Sequence, residues 1–310
     1  MTKQIVIIDL GTNTFHLLIA EKKKDGHEIV HREKQAVRIG VGGINQDVIP
    51  GAGLSRAIET LLGFKRKIGD IPSNRIFTFG TSAFRNARNQ TQAINEIKSR
   101  TGIEVTILTG NQEAEFIYYG IQSALDMGPD KSLIMDIGGG SVEFIIGDKR
   151  TIFWKQSLEI GGQRLLEKFQ KHDPIAEEEI SQLNAYFSQH LTSLFEALGE
   201  YRPDTLVGSS GTFDTLSDIF CLKHGIAKHD DDPETPLTME GFYEIYQELI
   251  AKNRAQRMAI PGMIEMRVDM IVVASCLIRF VVDHYAFSKI RVSGYSLKEG
   301  ALHYLGHHIS

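Results

Sequence analysis

The sequence predicts an α/β protein built from a duplicated lobe, and three observations carry that expectation. Short apolar runs suited to buried strands alternate with amphipathic helical patterns along the whole chain. The segment 7–20, IIDLGTNTFHLLIA, lies over 134–147, IMDIGGGSVEFIIG, without a gap, with identities at Ile7/Ile134, Asp9/Asp136, Gly11/Gly138 and Ile19/Ile146. The 310 residues, 42% of them hydrophobic, suffice for about two domains of ordinary size.

In chain order, strands are expected over 5–10, 15–20, 76–79, 105–108, 133–137, 142–146, 152–154, 206–207 and 290–292, each a short apolar run. Helices are expected over 54–68, 91–100, 112–125, 162–171, 177–198, 212–224, 239–251, 263–285 and 297–305, several opened by a Ser, Thr or Asn cap. The polar, proline-punctuated stretch 228–236, KHDDDPETP, reads as a surface loop. Domains are expected over 1–122 and 123–296, with a final helix at 297–310 packing back on the first.

Composition narrows the function. With 39 acidic residues against 34 Lys plus Arg, the chain lacks the bulk charge that holds a nucleic-acid polymer, so any polyanion must be met by a local pocket. Cys221 and Cys276 are far apart and in no ligand spacing, so neither a disulfide framework nor a zinc site is indicated. The opening MTKQIVIIDLG lacks the core and cleavage site of a secretion signal, and a cytoplasmic location is expected. The apolar stretch 263–285 carries Glu265, Arg267, Asp269, Arg279 and Asp283, too many charges for a lipid-facing span, so no membrane partner is expected.

The chemistry starts at the repeat. A turn of small residues brings backbone N–H groups and hydroxyls close to an anion, so Gly11, Thr12, Asn13 and Thr14, and again Gly138, Gly139, Gly140 and Ser141, are candidate phosphate binders. Asp9 and Asp136 beside these turns offer oxygen ligands to Mg²⁺; each alone also suits a capped structural turn. The copies differ where His16 stands opposite Glu143, which sets a carboxylate just past the second turn. Another carboxylate, Glu113, falls in the first turn of a helix capped by Thr109 or Asn111, where it serves the helix dipole or acts as a general base.

DLGTNTFHLLIA at 9–20, TSAFRNARN at 81–89, TGNQEAEFIYYG at 109–120, DIGGGSVEF at 136–144 and SSGTFDTL at 209–216 occur in an order that resembles the exopolyphosphatase/guanosine pentaphosphatase (Ppx/GppA) family. The resemblance covers most of the chain. It implies a two-lobed fold of the actin, Hsp70 and sugar-kinase type (ribonuclease H-like), with an interdomain cleft and Mg²⁺, or Mn²⁺ in its place, as the working ion. Polyphosphate or guanosine pentaphosphate is the implied substrate, and a homodimer the implied assembly.

Residue by residue, the resemblance makes Glu113 the catalytic base, gives Glu143 a share in placing metal or water beside Asp9 and Asp136, and sets Arg85 against substrate oxygens. Ser210, Gly211 and Thr212, with Ser209, look like the loop that meets a nucleoside in actin-like ATPases, though SSGT is at minimum a helix cap. Arg38, in VRIGVGG, is the candidate guide for a phosphate chain, while Lys22, Lys23, Lys24, Arg32 and Lys34 suit a solvated hairpin. Arg267 and Asp269 match the family's RxD helix start; a surface pair on the helix is the other reading. The block SGYSLKEG departs from the family's SxxGLREG at Ser296 and Lys298, so phosphate geometry there would differ. The chain is expected to be the short, two-domain form of the family. A kinase of the same fold and a non-catalytic sensor of guanosine tetra- or pentaphosphate are the alternative functions.

Overall fold

The computed structural model describes residues 4–24, 26–229 and 231–308, with side chains described through 306. Residues 1–3, part of the segment read for a secretion signal, and Asp230 in the polar loop lie outside the described residues. The chain divides into two units, Met1–Gly120 with Leu297–Ser310, and Ile121–Ser296.

The first unit opens with β1 (Gln4–Leu10), β2 (Thr14–Lys23) and β3 (Gly26–Ala36), followed by α1 (Gly51–Ile68), β4 (Ile76–Gly80), α2 (Ser82–Arg85), α3 (Gln90–Thr101), β5 (Thr106–Ile107) and α4 (Gly110–Ala124). Its sheet runs β3-β2-β1-β4-β5, with the first three strands antiparallel and β4 and β5 parallel to β1. The β3 strand was not legible: GHEIVHREKQA carries four charged residues in eleven because it forms the sheet edge, where charge blocks pairing with another chain. Its Lys23 turn is an exposed ion-pair cluster with Glu21 and Glu28.

The second unit contains β6 (Ser132–Ile137), β7 (Val142–Gly147), β8 (Ile152–Leu158), α5 (Gly162–Phe169), α6 (Glu177–His190), α7 (Thr192–Tyr201), β9 (Thr205–Ser209), α8 (Ser210–His224), β10 (Glu234–Thr235), α9 (Met239–Ala251), α10 (Arg254–Met258), α11 (Ile271–His284) and β11 (Lys289–Ser293). Its sheet, β10-β11-β9-β6-β7-β8, repeats the first unit's arrangement: three antiparallel strands, then parallel neighbours of the leading strand. The α/β, ribonuclease H-like lobe of the actin class is thus present twice, as the sequence predicts. The last helix, α12 (Leu297–His308), belongs to the first unit and packs on β1 and β2.

Three expected elements differ. The 177–198 helix breaks at Leu191 into α6 and α7, and the loop at 228–236 holds the short strand β10, paired with β11. The 263–285 helix begins only at Ile271. The residues before it are held in turns because the buried Arg257 side chain ties the carbonyls of Val268 and Lys252 to Asp173. Among the described residues no helix is long and apolar enough to cross a membrane.

A second polar anchor lies at the start of α6. Burial by itself pushes the Glu179 carboxyl up, but the N–H groups of Ala176, Lys171 and His172 and the His172 ring outweigh it and hold the carboxyl below its ordinary value. A carboxyl depressed in the fold stabilises above its unfolded pKa, and that stability is lost as pH falls through the folded value. At pH 7, Glu179→Gln is expected to melt about 3 °C below the wild type. As the pH is lowered past the ordinary carboxyl range the two melting curves should converge; parallel curves at every pH would contradict this account.

Candidate active site

In the second unit, strand register builds a row of polar side chains across four strands. Ser209 on β9 opposes Asp136 on β6, Asp136 opposes Glu143 on β7, and Glu143 opposes Ser157 on β8. Directly opposed residues lie on one face of a sheet, so hydroxyl, carboxylate, carboxylate and hydroxyl form one rung. Ser209 Oγ donates to Asp136 Oδ2 at 2.5 Å, Ser296 Oγ donates to the same oxygen at 2.6 Å, and Ser157 Oγ donates to Glu143 Oε1 at 2.6 Å. Asp136 is 5% exposed and Glu143 1%. Burial pushes the Asp136 carboxyl up, against the opposing pull of Ser209, Ser296, Arg267 and Ser210.

Two buried carboxylates directly opposed repel each other, and the rung is most stable with a cation beside it. The donors are all oxygen, which fits Mg²⁺, an ion that takes one or two carboxylates and fills its shell with water and phosphate oxygens. Among the described residues no group of three or more His, Cys, Asp or Glu side chains could hold a metal unaided.

The glycine turn at the end of this rung is closed by Gly138 N–H donating to Ser141 O at 3.0 Å. Its three glycine carbonyls are engaged by the segment entering α5. Gly138 O accepts from Gly162 N–H (2.9 Å), Gly139 O from Gln163 N–H (2.8 Å), and Gly140 O from Gly161 N–H (3.1 Å) and Arg164 Nε (3.0 Å). In a planar trans peptide the N–H points opposite to the carbonyl. The N–H groups of Gly139, Gly140 and Ser141 therefore face away from α5, and among the described residues none of the three donates to a protein acceptor. Three consecutive free donors make an anion-binding concavity. The approach is close, since a Cβ on Gly161 would stand 2.5 Å from the backbone of Gly139 and Gly140.

The loop at 209–212 has its own strain. Ser210 sits at φ 69°, uncommon for a residue with a Cβ, and Gly211 lies against the Arg267 guanidinium so closely that a Cβ would fall 2.0 Å from Nη2. Ser209 occupies the cap position of α8, but its hydroxyl serves Asp136 and makes no cap bond, which corrects the plain helix-cap reading. Thr212 is buried in the first turn of α8. Arg267 is 6% exposed and, among the described residues, its Nε has no hydrogen-bond partner. Burial pushes its pKa down, opposed by the charges of Asp214 and Asp136. Arg267 and Asp269 do not form a surface pair; Asp269 bonds Arg254 instead.

The first unit repeats the plan. Gly11 N–H donates to Thr14 O at 3.1 Å, the equivalent of the bond that closes the second turn. Asp9 opposes His16, which opposes Lys34, in the places held by Asp136, Glu143 and Ser157. Here too the segment after the third strand buttresses the turn: Asn13 O accepts from Val37 and Arg38 N–H at 2.9 Å, and Thr12 O accepts from Gly40 N–H at 3.4 Å. Arg38 sits at φ 49° with its side chain exposed, its carbonyl and that of Val37 fixed by Arg56 at 2.7 Å. Thr81, which precedes α2, bonds Leu10 O next to the turn. Arg85, at the end of α2, reaches Glu113 Oε2 at 2.6 Å and Leu108 O at 3.3 Å. Glu113 is buried in the first turn of α4, whose cap is Thr109, paired reciprocally with Gln112.

The candidate residues thus assemble as two groups. Asp9, the turn at 11–14, Arg38, Arg85 and Glu113 belong to the first unit; Asp136, the turn at 138–141, Glu143, Ser210, Gly211 and Thr212 belong to the second. Within the second, Ser157, Ser296, Gly161, Gly162 and Arg164 escaped sequence reasoning. The Gly161–Gly162 pair at a strand-to-helix junction was the signal that could have found the buttress. Ser296 was noted only as a departure, and Lys298, the other departure, pairs with the buried Glu299 at 3.1 Å.

A model of the Ppx/GppA phosphatase family matches residues 18–307. The chain is similar to the crystal structure of an exopolyphosphatase from Cytophaga hutchinsonii, with 42% identity, TM-score 0.95 and 99% of each chain covered. A Ppx/GppA family member from Aquifex aeolicus shares the fold at 21% identity and TM-score 0.80, with 100% of each chain covered. A guanosine-5'-triphosphate,3'-diphosphate pyrophosphatase from Pseudoalteromonas translucida is 28% identical over 300 residues, 96% of this chain and 58% of that protein's own length.

Proposed function

Because the chain belongs to the Ppx/GppA phosphatase family, we propose that it releases terminal orthophosphate from inorganic polyphosphate, guanosine pentaphosphate or both. The observation that carries this reading is the turn at 138–141, whose three free N–H groups adjoin a rung of two buried carboxylates. The names of the relatives point to the same phosphoanhydride chemistry.

In this reading the N–H groups of Gly139, Gly140 and Ser141 and the guanidinium of Arg267 hold phosphate oxygens, and the first turn and Arg38 are the corresponding phosphate binders of the first unit. Glu113, oriented by Arg85, takes a proton from water as the water oxygen bonds to the terminal phosphorus. The bridging P–O bond breaks and the shortened chain leaves with the electron pair. Asp136 and Glu143 are the residues that would hold Mg²⁺ or Mn²⁺, which when bound would screen phosphate charge and stabilise the charge that develops in the transition state. The reading also keeps the protein in the cytoplasm as a homodimer, on the strength of its cysteine usage and of the family resemblance.

Incubation with Mg²⁺ and, separately, long polyphosphate, tripolyphosphate, guanosine pentaphosphate and ATP is expected to release phosphate from one of the first three faster than from ATP, and not in excess chelator. Absence of release from all of them would overturn the proposal.

A further inference from the structure

We infer that Arg164 is a positioning residue whose guanidinium sets the second turn for phosphate, an inference that rests on reading 138–141 as the phosphate loop. Arg164 occupies the first turn of α5 and is nine-tenths buried. Its Nε donates to Gly140 O at 3.0 Å, and its Nη2 lies 3.5 Å from Glu159 Oε2. Its own N–H points at Gly139 O at 3.4 Å, so one residue grips the turn by backbone and by side chain.

The peptide that Nε holds joins Gly140 to Ser141. Because that peptide is planar, fixing its carbonyl on Arg164 fixes the Ser141 N–H on the opposite side, where the anion is to sit. A run of glycines cannot hold this orientation alone, for glycine is the residue with the widest choice of backbone conformations. The turn thus obtains its stiffness from outside, and a planar guanidinium anchored at its far end by Glu159 is suited to supply it. Lysine keeps the charge at this position and loses the fixed Nε–H direction. Arg164 touches no substrate atom in this account; it acts through Ser141 N–H. The interaction it supports is made with bound phosphate and with the transition state alike, so its loss raises KM and leaves kcat nearly unchanged. A general loss of folded protein would lower apparent kcat and leave KM alone.

The test compares wild type, Arg164→Lys and Glu159→Gln by thermal melting, by calorimetric titration with inorganic tripolyphosphate in Mg²⁺, and by phosphate-release kinetics. Arg164→Lys is expected to fold and to bind tripolyphosphate about tenfold more weakly, with KM raised to match and kcat within about twofold. Glu159→Gln, altered at the more exposed end of the pair, is expected to weaken binding about threefold with an unchanged melting point. Wild-type affinity in Arg164→Lys overturns the inference, as does a fall in kcat at constant KM. Should Arg164→Lys fail to fold, Glu159→Gln decides, and unchanged affinity in it is the overturning result. Wild-type protein that binds tripolyphosphate but releases no phosphate refutes the hydrolase reading while the binding comparison still judges Arg164. Wild-type protein that does not bind it at all refutes both.

Discussion

Glu113→Gln is expected to lower kcat for phosphate release about 10³-fold while tripolyphosphate affinity stays within about threefold of wild type. The change is nearly isosteric. Glutamine still offers a carbonyl oxygen to Arg85, which reaches Glu113 at 2.6 Å, so α2 and the first turn of α4 keep their contact. What it cannot do is take a proton from water. A base assists the transition state and adds little to substrate binding, which is why kcat should collapse and affinity should not. Phosphate release and calorimetric binding measured on one preparation separate the two quantities. Turnover near the wild-type rate would remove Glu113 from the mechanism and return it to the helix-dipole role. Lost affinity at normal turnover would make the carboxylate a binding group.

Gly300→Ala is expected to abolish the fold of the first unit or to cost it more than about 4 kcal/mol. A Cβ at this position would stand 1.6 Å from Phe116 O, 2.6 Å from Phe116 C and 2.7 Å from Gly120 N. All three are backbone atoms of α4, so no side chain can swing aside. Relief would require α12 to lift from α4, which would also disturb its packing on β1 and β2. Soluble yield and thermal unfolding are the readouts. A wild-type melting point would mean that the two helices do not approach as closely as described. The residue lies in the block SGYSLKEG, which was read for phosphate contact; its glycine has a packing reason instead, and its Ser296 bonds Asp136.

How much was legible follows from how far apart in sequence the interacting parts lie. The gapless match of 7–20 with 134–147 made the pairs Asp9/Asp136 and His16/Glu143 visible, because a β-hairpin is local and its register follows from its own turn. Ser157 and Ser209 were not visible as partners of Glu143 and Asp136, since they arrive on β8 and β9, and strand order is not written in either run. Arg164 was hidden by its setting, a short helix whose other residues follow an ordinary amphipathic pattern. The residues before α11 were misassigned for a similar reason: their apolar pattern continues that of the helix, and only the distant tie from Arg257 to Val268 O explains why they turn.

The discontinuous first unit has a consequence for synthesis. Its strands β1 to β5 are made before the second unit, yet α12, which covers β1 and β2, is made after it. The second unit is continuous, and all of its residues are available before α12 emerges. The unit begun first is therefore completed after the other, and until α12 has emerged β1 and β2 present an uncovered apolar surface of the kind chaperones hold. A released chain truncated after Ser296 should be more open to protease in its first 120 residues than in the stretch that follows.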